Sequence, residues 1–358
     1  MLSTRLPIAL LVLTLSSPLF SADDISNIPD DYATLAIWEA AKNGDITALT
    51  GDTIAQISGE ILGGVTVSGW TTDADSRIII TGISTDTHKG TADDGGAQVT
   101  SFGAEAFKIS NSGSFRCDII IEKLIVQIGA STGNEIAIYL AGGGAGSKAI
   151  FRYNVIYSTT LYTAGFYLAS GSHDTEVYNN IMYDTHSSFF GGCRIQASHS
   201  TILYNNVFWN NYYGIRAGAS TDPVLVKNNL CFENNSDFYG TTLFDTASTG
   251  NFSSDTTGDN DNLASGDNTA NVTFSEGVDY ISTTTVVNLH LVAGSQLIDA
   301  GFDVVSDSSM TVTTDIDYPQ TGATFLVRND VGADELAETP TPTPTSSGFP
   351  IILYLGGN

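Results

Sequence analysis

Four short segments of the chain superpose on one another without gaps, and this repeat constrains the fold more than any other feature. Each segment has an asparagine at its third position and apolar or aromatic residues directly after it. The segments are Arg152–Tyr157, Tyr178–Tyr183, Tyr204–Trp209 and Lys227–Phe232. Their matching asparagines, Asn154, Asn180, Asn206 and Asn229, are 26, 26 and 23 residues apart. A period of this length, with two or three short strands per unit, is typical of a solenoid.

A second set of segments repeats in step with the first and alternates apolar with polar residues. It comprises Ile138–Leu140, Phe166–Leu168, Cys193–Ile195 and Ile215–Ala217. Such units predict an all-β parallel β-helix, in which each coil pairs with its neighbours at a spacing of about 4.8 Å. Equivalent residues then stack, so inward positions form apolar columns and the four asparagines form a ladder of side-chain amides. A β-propeller is the main alternative, but its blades need about 40 residues or more each.

Residues 31–43 contain the clearest helical pattern in the chain. Leu35, Trp38 and Ala41 recur at three-residue steps, and Asn43 with Gly44 supplies a stop signal. We expect this short N-terminal α-helix to cap the first coil, because an uncovered strand edge would pair with other chains.

The charge balance excludes two classes of partner. The 358 residues include 39 Asp+Glu and 13 Lys+Arg, which gives a formal net charge of −26. Nucleic-acid binding depends on clustered Lys and Arg that neutralise phosphates. Anionic membrane surfaces likewise attract basic segments. We therefore expect no nucleic acid and no anionic membrane surface among the partners.

The composition divides the chain into a signal, a β-helix domain and a C-terminal extension. Residues 1–22 combine Arg5, an apolar run and small residues, as in a secretory signal peptide; a membrane anchor is the alternative, but Pro18 interrupts the run. The β-helix domain is expected over residues 23–338, with irregular acidic coils from about 240 to 338. A Pro/Thr linker follows at 339–347, and an apolar tail at 348–358 is too short to span a bilayer. These features predict a protein that is secreted or held at the cell surface, with the tail as the candidate attachment and no transmembrane segment.

Three groups of residues together resemble a known family. They are the opening segment Asp31–Ala41, the repeated Tyr-Asn-Asn segments, and a closing run of Gly294–Gly301, Thr314–Asp317 and Asp330–Glu335. In these residues the chain is similar to secreted right-handed parallel β-helix proteins of the pectate-lyase-like superfamily, and within it to bacterial and phage-associated members of mostly undefined function. The chain departs from the usual pattern at Gln296, where Pro is commoner, and at Tyr318, where Gly is commoner. The resemblance implies a right-handed β-helix over roughly residues 30–336, but this superfamily includes lyases, hydrolases, adhesins and phage tail proteins, so the fold does not give a reaction.

Strand alternation predicts a row of outward side chains on the first strand of each coil. If the apolar residues of the second repeat point inward, then Tyr139, Tyr167, Arg194, Gln196 and Arg216 point outward. Aromatic side chains can stack on sugar rings, and Arg pairs bidentately with the carboxylates of uronic acids. In a lyase, Arg194 or Arg216 would help to abstract a proton if its pKa were perturbed. The alternative is structural, because Tyr is favoured in strands and Arg keeps a surface soluble.

An acidic loop in the C-terminal part is compatible with Ca²⁺ binding. Asp255, Asp259 and Asp261 alternate oxygen ligands along the loop. The loop lacks the spacing of an EF-hand, and a solvated acidic loop is the favoured interpretation. No other cofactor is indicated.

Three functions remain open from the sequence. The first is a secreted or surface-displayed β-helix that binds polysaccharide through one long face. The second is a polysaccharide lyase or hydrolase of the same fold, of which β-elimination is the better match because no pair of carboxylates faces the row. The third is a structural or adhesive surface protein.

Overall fold

The fold is described from a computed structural model of the full chain. It describes residues 23–301 except 84–87, 89–91, 93, 94, 104, 112–114, 130–134, 161, 162, 197–199, 219–221, 241–243, 259–267, 271, 274–279, 283–286, 292–294 and 299. The expected signal, linker and tail, and the closing segments after residue 301, therefore lie outside the described residues.

The described residues form one short α-helix, a single 3₁₀ turn and twenty-three strands. The helix is α1 (Leu35–Lys42), and the 3₁₀ turn is Thr256–Gly258. The strands are β1 (Asp24–Ile28), β2 (Thr53–Ile57), β3 (Glu60–Leu62), β4 (Val65–Val67), β5 (Ile78–Gly82), β6 (Gln98–Phe102), β7 (Phe107–Asn111), β8 (Ile119–Glu122), β9 (Ile125–Gly129), β10 (Glu135–Arg152), β11 (Val155–Ser158), β12 (Thr163–Tyr178), β13 (Ile181–Tyr183), β14 (Cys193–Ile195), β15 (Thr201–Tyr204), β16 (Val207–Trp209), β17 (Tyr213–Ala217), β18 (Val224–Lys227), β19 (Leu230–Phe232), β20 (Ser236–Tyr239), β21 (Phe252–Ser253), β22 (Tyr280–Ser282) and β23 (Val287–Leu291).

The strands wind into a right-handed parallel β-helix of about seven coils, as the repeat predicts. Each coil passes through three faces in turn. Face 1 contains β4, β7, the first halves of β10 and β12, then β14, β17 and β20. Face 2 contains β1, β2, β5, β8, the second halves of β10 and β12, then β15 and β18. Face 3 is an eight-stranded sheet that runs from β3 to β21.

The interior of the β-helix is filled by columns of inward side chains. On face 1 the column continues from Phe107 through Ile138, Phe166 and Cys193 to Ile215, each on a successive coil. All five residues are fully buried. One coil cannot bury its own apolar side, so the core forms only when coils stack.

The outer side of face 3 carries a second apolar cluster. Val155, Ile181, Val207 and Leu230 point away from the interior, yet all are buried. Leu297, from the acidic C-terminal part of the chain, belongs to the same cluster and is 1% exposed. Leu297, together with Ile298 and Ala300, therefore packs against the outer surface of face 3.

The Tyr-Asn-Asn segments mark the bend between face 2 and face 3. The first asparagine of each pair, as at Asn179, Asn205 and Asn228, has a positive φ of 52–53°. Asn is among the few residues other than Gly that readily adopt this left-handed conformation. Tyr153 and Lys123 occupy the same position in earlier coils, with φ values of 56° and 60°. The first asparagine thus adopts the left-handed conformation that the bend requires. The second asparagine forms hydrogen bonds with the polar groups of the bend.

The second asparagines form the expected ladder, and the ladder is longer than the sequence predicts. The Oδ1 atom of Asn206 accepts hydrogen bonds from Asn180 N (3.1 Å) and Asn180 Nδ2 (3.0 Å). The Asn206 Nδ2 group donates to Asn229 Oδ1 at 2.9 Å and to the carbonyl of Val177 at 2.9 Å. The same pattern links Asn154, Asn180, Asn206, Asn229, Asn251 and Asn268. The ladder therefore provides hydrogen-bond partners for the buried polar groups of this bend.

A second polar column lies at the bend between face 3 and face 1. Asn211 Oδ1 accepts from Thr185 N, and Asn234 Oδ1 accepts from Asn211 N. Asn234 Nδ2 then donates to a buried carboxylate, Asp237, at 2.7 Å. Burial raises the pKa of Asp237 to about 7, because loss of hydration outweighs the hydrogen bonds from Asn234 and Ser254.

The N-terminal helix is shorter than expected, and begins at Leu35 rather than at residue 31. Thr34 is the reason, because its side chain accepts a hydrogen bond from Ile37 N and caps the helix there. The buried Trp38 packs 5.8 Å from the ring of Trp70. The helix lies against β2 and β4, where it covers the first coils.

Replacement of one ladder residue tests the role of the ladder in stability. Asn206→Ala leaves the ladder atoms of Asn180 and Asn229 without their partner in a buried environment. We expect the free energy of unfolding to fall by about 1–3 kcal/mol, measured by denaturant titration. Asn235→Ala, at an exposed asparagine outside the ladder, is the matched control and should change stability by less than about 0.5 kcal/mol. Equal stability of the two variants would contradict a stabilising ladder.

The buried Asp237 makes stability depend on pH in a direction opposite to that of a salt-bridged carboxylate. Between about pH 4 and pH 7 the folded chain keeps a proton on Asp237 that the unfolded chain has released, so this group's contribution to stability is lost as pH rises. Asp237→Asn cannot ionise. We therefore expect the stability of the variant relative to the wild type to increase by about 2–4 kcal/mol from pH 4 to pH 8. Asp174→Asn, at an exposed site on face 2, should show no such trend, and a parallel pH profile for Asp237→Asn and the wild type would refute the assignment.

Candidate functional site

The residues that the sequence places in one outward row do align on face 1. Tyr139 pairs in register with Tyr167, Tyr167 with Arg194, and Arg194 with Arg216. The row extends further at both ends than predicted. We call the outward column of face 1 the six residues Lys108, Tyr139, Tyr167, Arg194, Arg216 and Tyr239, each on a successive coil.

Glycines at the start of the face 1 strands bring the coils close together beside this column. A Cβ atom on Gly165 would lie 2.3 Å from the carbonyl oxygen of Gly192. One on Gly192 would lie 2.8 Å from the carbonyl oxygen of Gly214. Any larger residue at these positions would therefore push neighbouring coils apart beside the outward column.

Two tyrosines form the first half of the column. The rings of Tyr139 and Tyr167 have centroids 5.3 Å apart with an interplanar angle of 31°, and both side chains are half-buried. Tyr167 donates a hydrogen bond from its hydroxyl to Gln196 Oε1 at 2.6 Å, which brings the predicted Gln196 into the site. The ammonium group of Lys108 lies 5.6 Å from the centroid of Tyr139. This part of the column therefore consists of two half-buried tyrosine rings with one ammonium group beside them.

Arg194 differs from the expectation of an exposed side chain, because it is only 6% exposed. The cause is the loop between β13 and β14, which folds over the column. The ring of Phe189 lies directly on the guanidinium, with its centroid 4.1 Å from Arg194 Cζ, and Phe190 and Tyr167 both lie at 5.2 Å. Burial lowers the pKa of Arg194, and the neighbouring Arg216 lowers it further, while Tyr167 opposes the shift. Arg194 is thus inside the site rather than on its surface.

Arg216 is the more accessible of the two arginines. Its Nη1 group donates to the carbonyl oxygen of Phe189 at 2.5 Å. Its Cζ atom lies 4.9 Å from the centroid of Tyr213 and 5.3 Å from that of Tyr239. The remaining N–H groups of the guanidinium are donors for a ligand.

The two arginines have an unusual electrostatic environment for so acidic a protein. No carboxylate within the described part of the chain lies within 4.0 Å of either guanidinium. By contrast, seven other described bases have such a partner: Lys42, Arg77, Lys108, Arg116, Lys123, Lys148 and Arg152. Arg194 and Arg216 are therefore a local positive centre whose counter-charge the described residues do not supply.

Sequence analysis missed several residues of the site. Lys108 and Tyr239 follow the same alternation as the predicted row, and extension of the register by one coil in each direction would find them. Phe189 and Phe190 lie in a loop outside the repeat, so no periodic signal marks them. Phe189 is 54% exposed and is the largest accessible apolar surface of the site, followed by Tyr239 at 46%.

A groove on face 2 provides a contrast. It has a volume of about 140 Å³, with Ile120 and Ile150 among its lining residues. The lining also contains the bases Arg77, Arg116 and Lys148. Each of these bases pairs with a carboxylate at 2.5–2.7 Å, so the charges of the groove are neutralised within the protein.

Of the three predicted calcium ligands, only Asp255 lies within the described residues. Asp255 accepts hydrogen bonds from Thr257 and from the backbone N–H of Asp237, and so shapes a turn at the last coils. Asp259 and Asp261 lie outside the described residues. No group of three or more His, Cys, Asp or Glu side chains within the described ranges is arranged to hold a metal ion.

Comparisons with known proteins identify no relative, so a function is inferred from the fold and the geometry alone. No protein-family model, no curated protein and no solved structure matches the chain. Among the described residues, no helix combines the length and apolar character needed to cross a membrane.

Proposed function

We propose that this protein binds polysaccharide through the outward column of face 1 and works outside the cell. The observation that carries the proposal is the column itself, in which aromatic and cationic side chains follow one another over six coils. A glycan chain is also a linear repeat, so a linear array of aromatic rings and hydrogen-bond donors can contact several sugars at once. The predicted signal at 1–22 and the linker and tail at 339–358 fit a secreted or surface-attached binder.

The charge of the column favours a polymer that contains uronic acids. The exposed donors of Arg216 have no carboxylate partner among the described residues, and Arg binds carboxylates in a bidentate geometry. The net charge of −26 opposes an anionic polymer at long range. Binding must therefore be local to face 1, where Arg194 and Arg216 lie on adjacent coils.

Binding explains the site better than catalysis or a purely structural role. A lyase needs a base with access to the substrate, and the lowered pKa of Arg194 is in the required direction. However, the ring of Phe189 covers the guanidinium. A purely structural role does not explain why Arg194 is buried without a carboxylate partner among the described residues, because such a charge is costly to bury.

Removal of the accessible arginine tests the proposal. We expect Arg216→Ala to weaken retention on pectate or alginate in affinity electrophoresis by about 1–2 kcal/mol, because one partly solvated charged hydrogen bond is lost. Lys148→Ala removes a charge from face 2 and is the matched control, which should be retained like the wild type. Higher salt should weaken the wild type, because screening acts over about 10 Å at 0.1 M.

Further arms of the same experiment separate the competing functions. Retention on a neutral glycan that is insensitive to salt but lost in Tyr139→Ala and Tyr167→Ala would replace the uronic-acid polymer with a neutral one. An increase in ultraviolet absorbance from unsaturated sugar ends would show a lyase instead. If a broad glycan panel gives neither retention nor cleavage, the protein is a structural or adhesive element and the proposal is wrong.

A further inference from the structure

Phe189 is the most exposed aromatic side chain in contact with the outward column. More than half of its surface is accessible, at 54%. Exposure of an apolar ring to water is unfavourable, so a loop that was free to rearrange would bury it. The contacts of Phe189 show why the ring stays outside.

Two arginines of the column hold Phe189 by its ring and by its backbone. Arg194 Cζ lies 4.1 Å below the ring centroid, and the ring of Phe190 meets it edge-on at 4.9 Å with an interplanar angle of 88°. The carbonyl oxygen of Phe189 accepts hydrogen bonds from Arg194 Nη1 at 3.3 Å and from Arg216 Nη1 at 2.5 Å. The loop is also tied down by Ser187, whose N–H donates to the carbonyl of Thr163 on the neighbouring coil.

Support of the ring by a buried arginine is unfavourable in one respect, because the guanidinium loses hydration. Arg194 is 6% exposed, and no described carboxylate compensates its charge. An apolar side chain at this position would fill the same space without loss of hydration. The guanidinium supplies what an apolar side chain lacks, namely a cation–π contact with one ring face and a hydrogen bond to the carbonyl of the same residue. Because Arg194 occupies one face of the ring, the accessible surface of Phe189 lies on the other.

We propose that Phe189 is the platform on which a sugar ring of the bound glycan stacks, and that Arg194 is a positioning residue that fixes this platform without touching the ligand. The inference rests on the proposed binding of glycan by face 1 and adds to it the loop that carries the main contact. Arg216 Cζ lies 5.8 Å from the centroid of Phe189 and 5.3 Å from that of Tyr239. A sugar over Phe189 therefore has a guanidinium and a second exposed ring beside it. The two arginines have different roles, with Arg216 at the ligand and Arg194 behind the platform.

A double-mutant cycle on the full chain separates these roles. The probes are oligogalacturonate, alginate oligosaccharides and a neutral xylo-oligosaccharide, with dissociation constants from titration calorimetry. We expect Phe189→Ala to weaken binding about tenfold, as for an anchoring aromatic residue. Arg194→Ala should weaken it by a similar factor in the wild-type background and should have little further effect in the Phe189→Ala background, whereas Arg216→Ala should weaken binding in both. Phe102→Ala, which removes a 64%-exposed ring from face 3, is the matched control and should leave binding unchanged.

The positioning role is also measured without any ligand. Trp is introduced by Phe189→Trp, and its fluorescence anisotropy is compared in the presence of Arg194, Arg194→Lys and Arg194→Ala, with the corresponding Phe189 proteins as blanks. We expect the anisotropy to fall clearly in Arg194→Ala and to recover in part in Arg194→Lys, which restores the charge under the ring. Far-ultraviolet circular dichroism confirms that each variant is folded.

The outcomes distinguish failure of this inference from failure of the proposed function. If the wild type binds a probe and Phe189→Ala binds it equally well, the platform is wrong and glycan binding stands. If Arg194→Ala weakens binding equally in both backgrounds, Arg194 contacts the ligand and its positioning role is wrong. If the wild type binds none of the probes, the platform is overturned together with the proposed function. An anisotropy that does not respond to Arg194→Ala overturns the positioning role in every case.

Discussion

Parallel pairing between successive coils determines which side chains become neighbours at every outward position of this protein. The outward column of face 1 unites residues that are 22–31 positions apart in sequence, and no side-chain contact is needed to bring them together. Because strand alternation has a period of two, a slip of one residue would turn Arg216 inward and Ile215 outward. The asparagine ladders at the bends oppose such a slip, because each amide reaches its partner only when the coils are in register.

The charges of the protein are used differently on the two faces that the repeats build. On face 2, Arg77, Arg116 and Lys148 each have a carboxylate within 2.7 Å, so their charge is neutralised within the protein. On face 1, Arg194 and Arg216 instead contact aromatic rings and one loop carbonyl. A cation held by rings keeps most of its field, because no opposite charge cancels it. This difference, rather than the overall charge, is the basis of our proposal that face 1 binds a ligand.

Periodic features could be predicted from the sequence, and aperiodic ones could not. The β-helix, four ladder asparagines and the alignment of Tyr139 with Arg216 all follow from repeats with steps of 22–28 residues, and all are confirmed. Asn251 and Asn268 continue the ladder at steps of 22 and 17 residues. These coils are shorter than those of the four predicted asparagines, so the repeat did not identify Asn251 and Asn268. Burial of Arg194 could not be predicted, because it depends on the path of the loop that carries Phe189. The start of the helix at Leu35 depends on one capping side chain, Thr34, which the helical pattern alone does not reveal.

The central claim is that the register of the coils creates a ligand site on face 1, and a crystal structure of the protein with bound oligosaccharide tests it most directly. Crystals would be grown with oligogalacturonate or alginate oligosaccharides at several times the measured dissociation constant. The account predicts a sugar ring stacked on Phe189, with its polar groups within hydrogen-bond distance of Arg216 and its chain continued along the outward column. An oligosaccharide ordered on face 2 or face 3, with face 1 empty, would contradict the account.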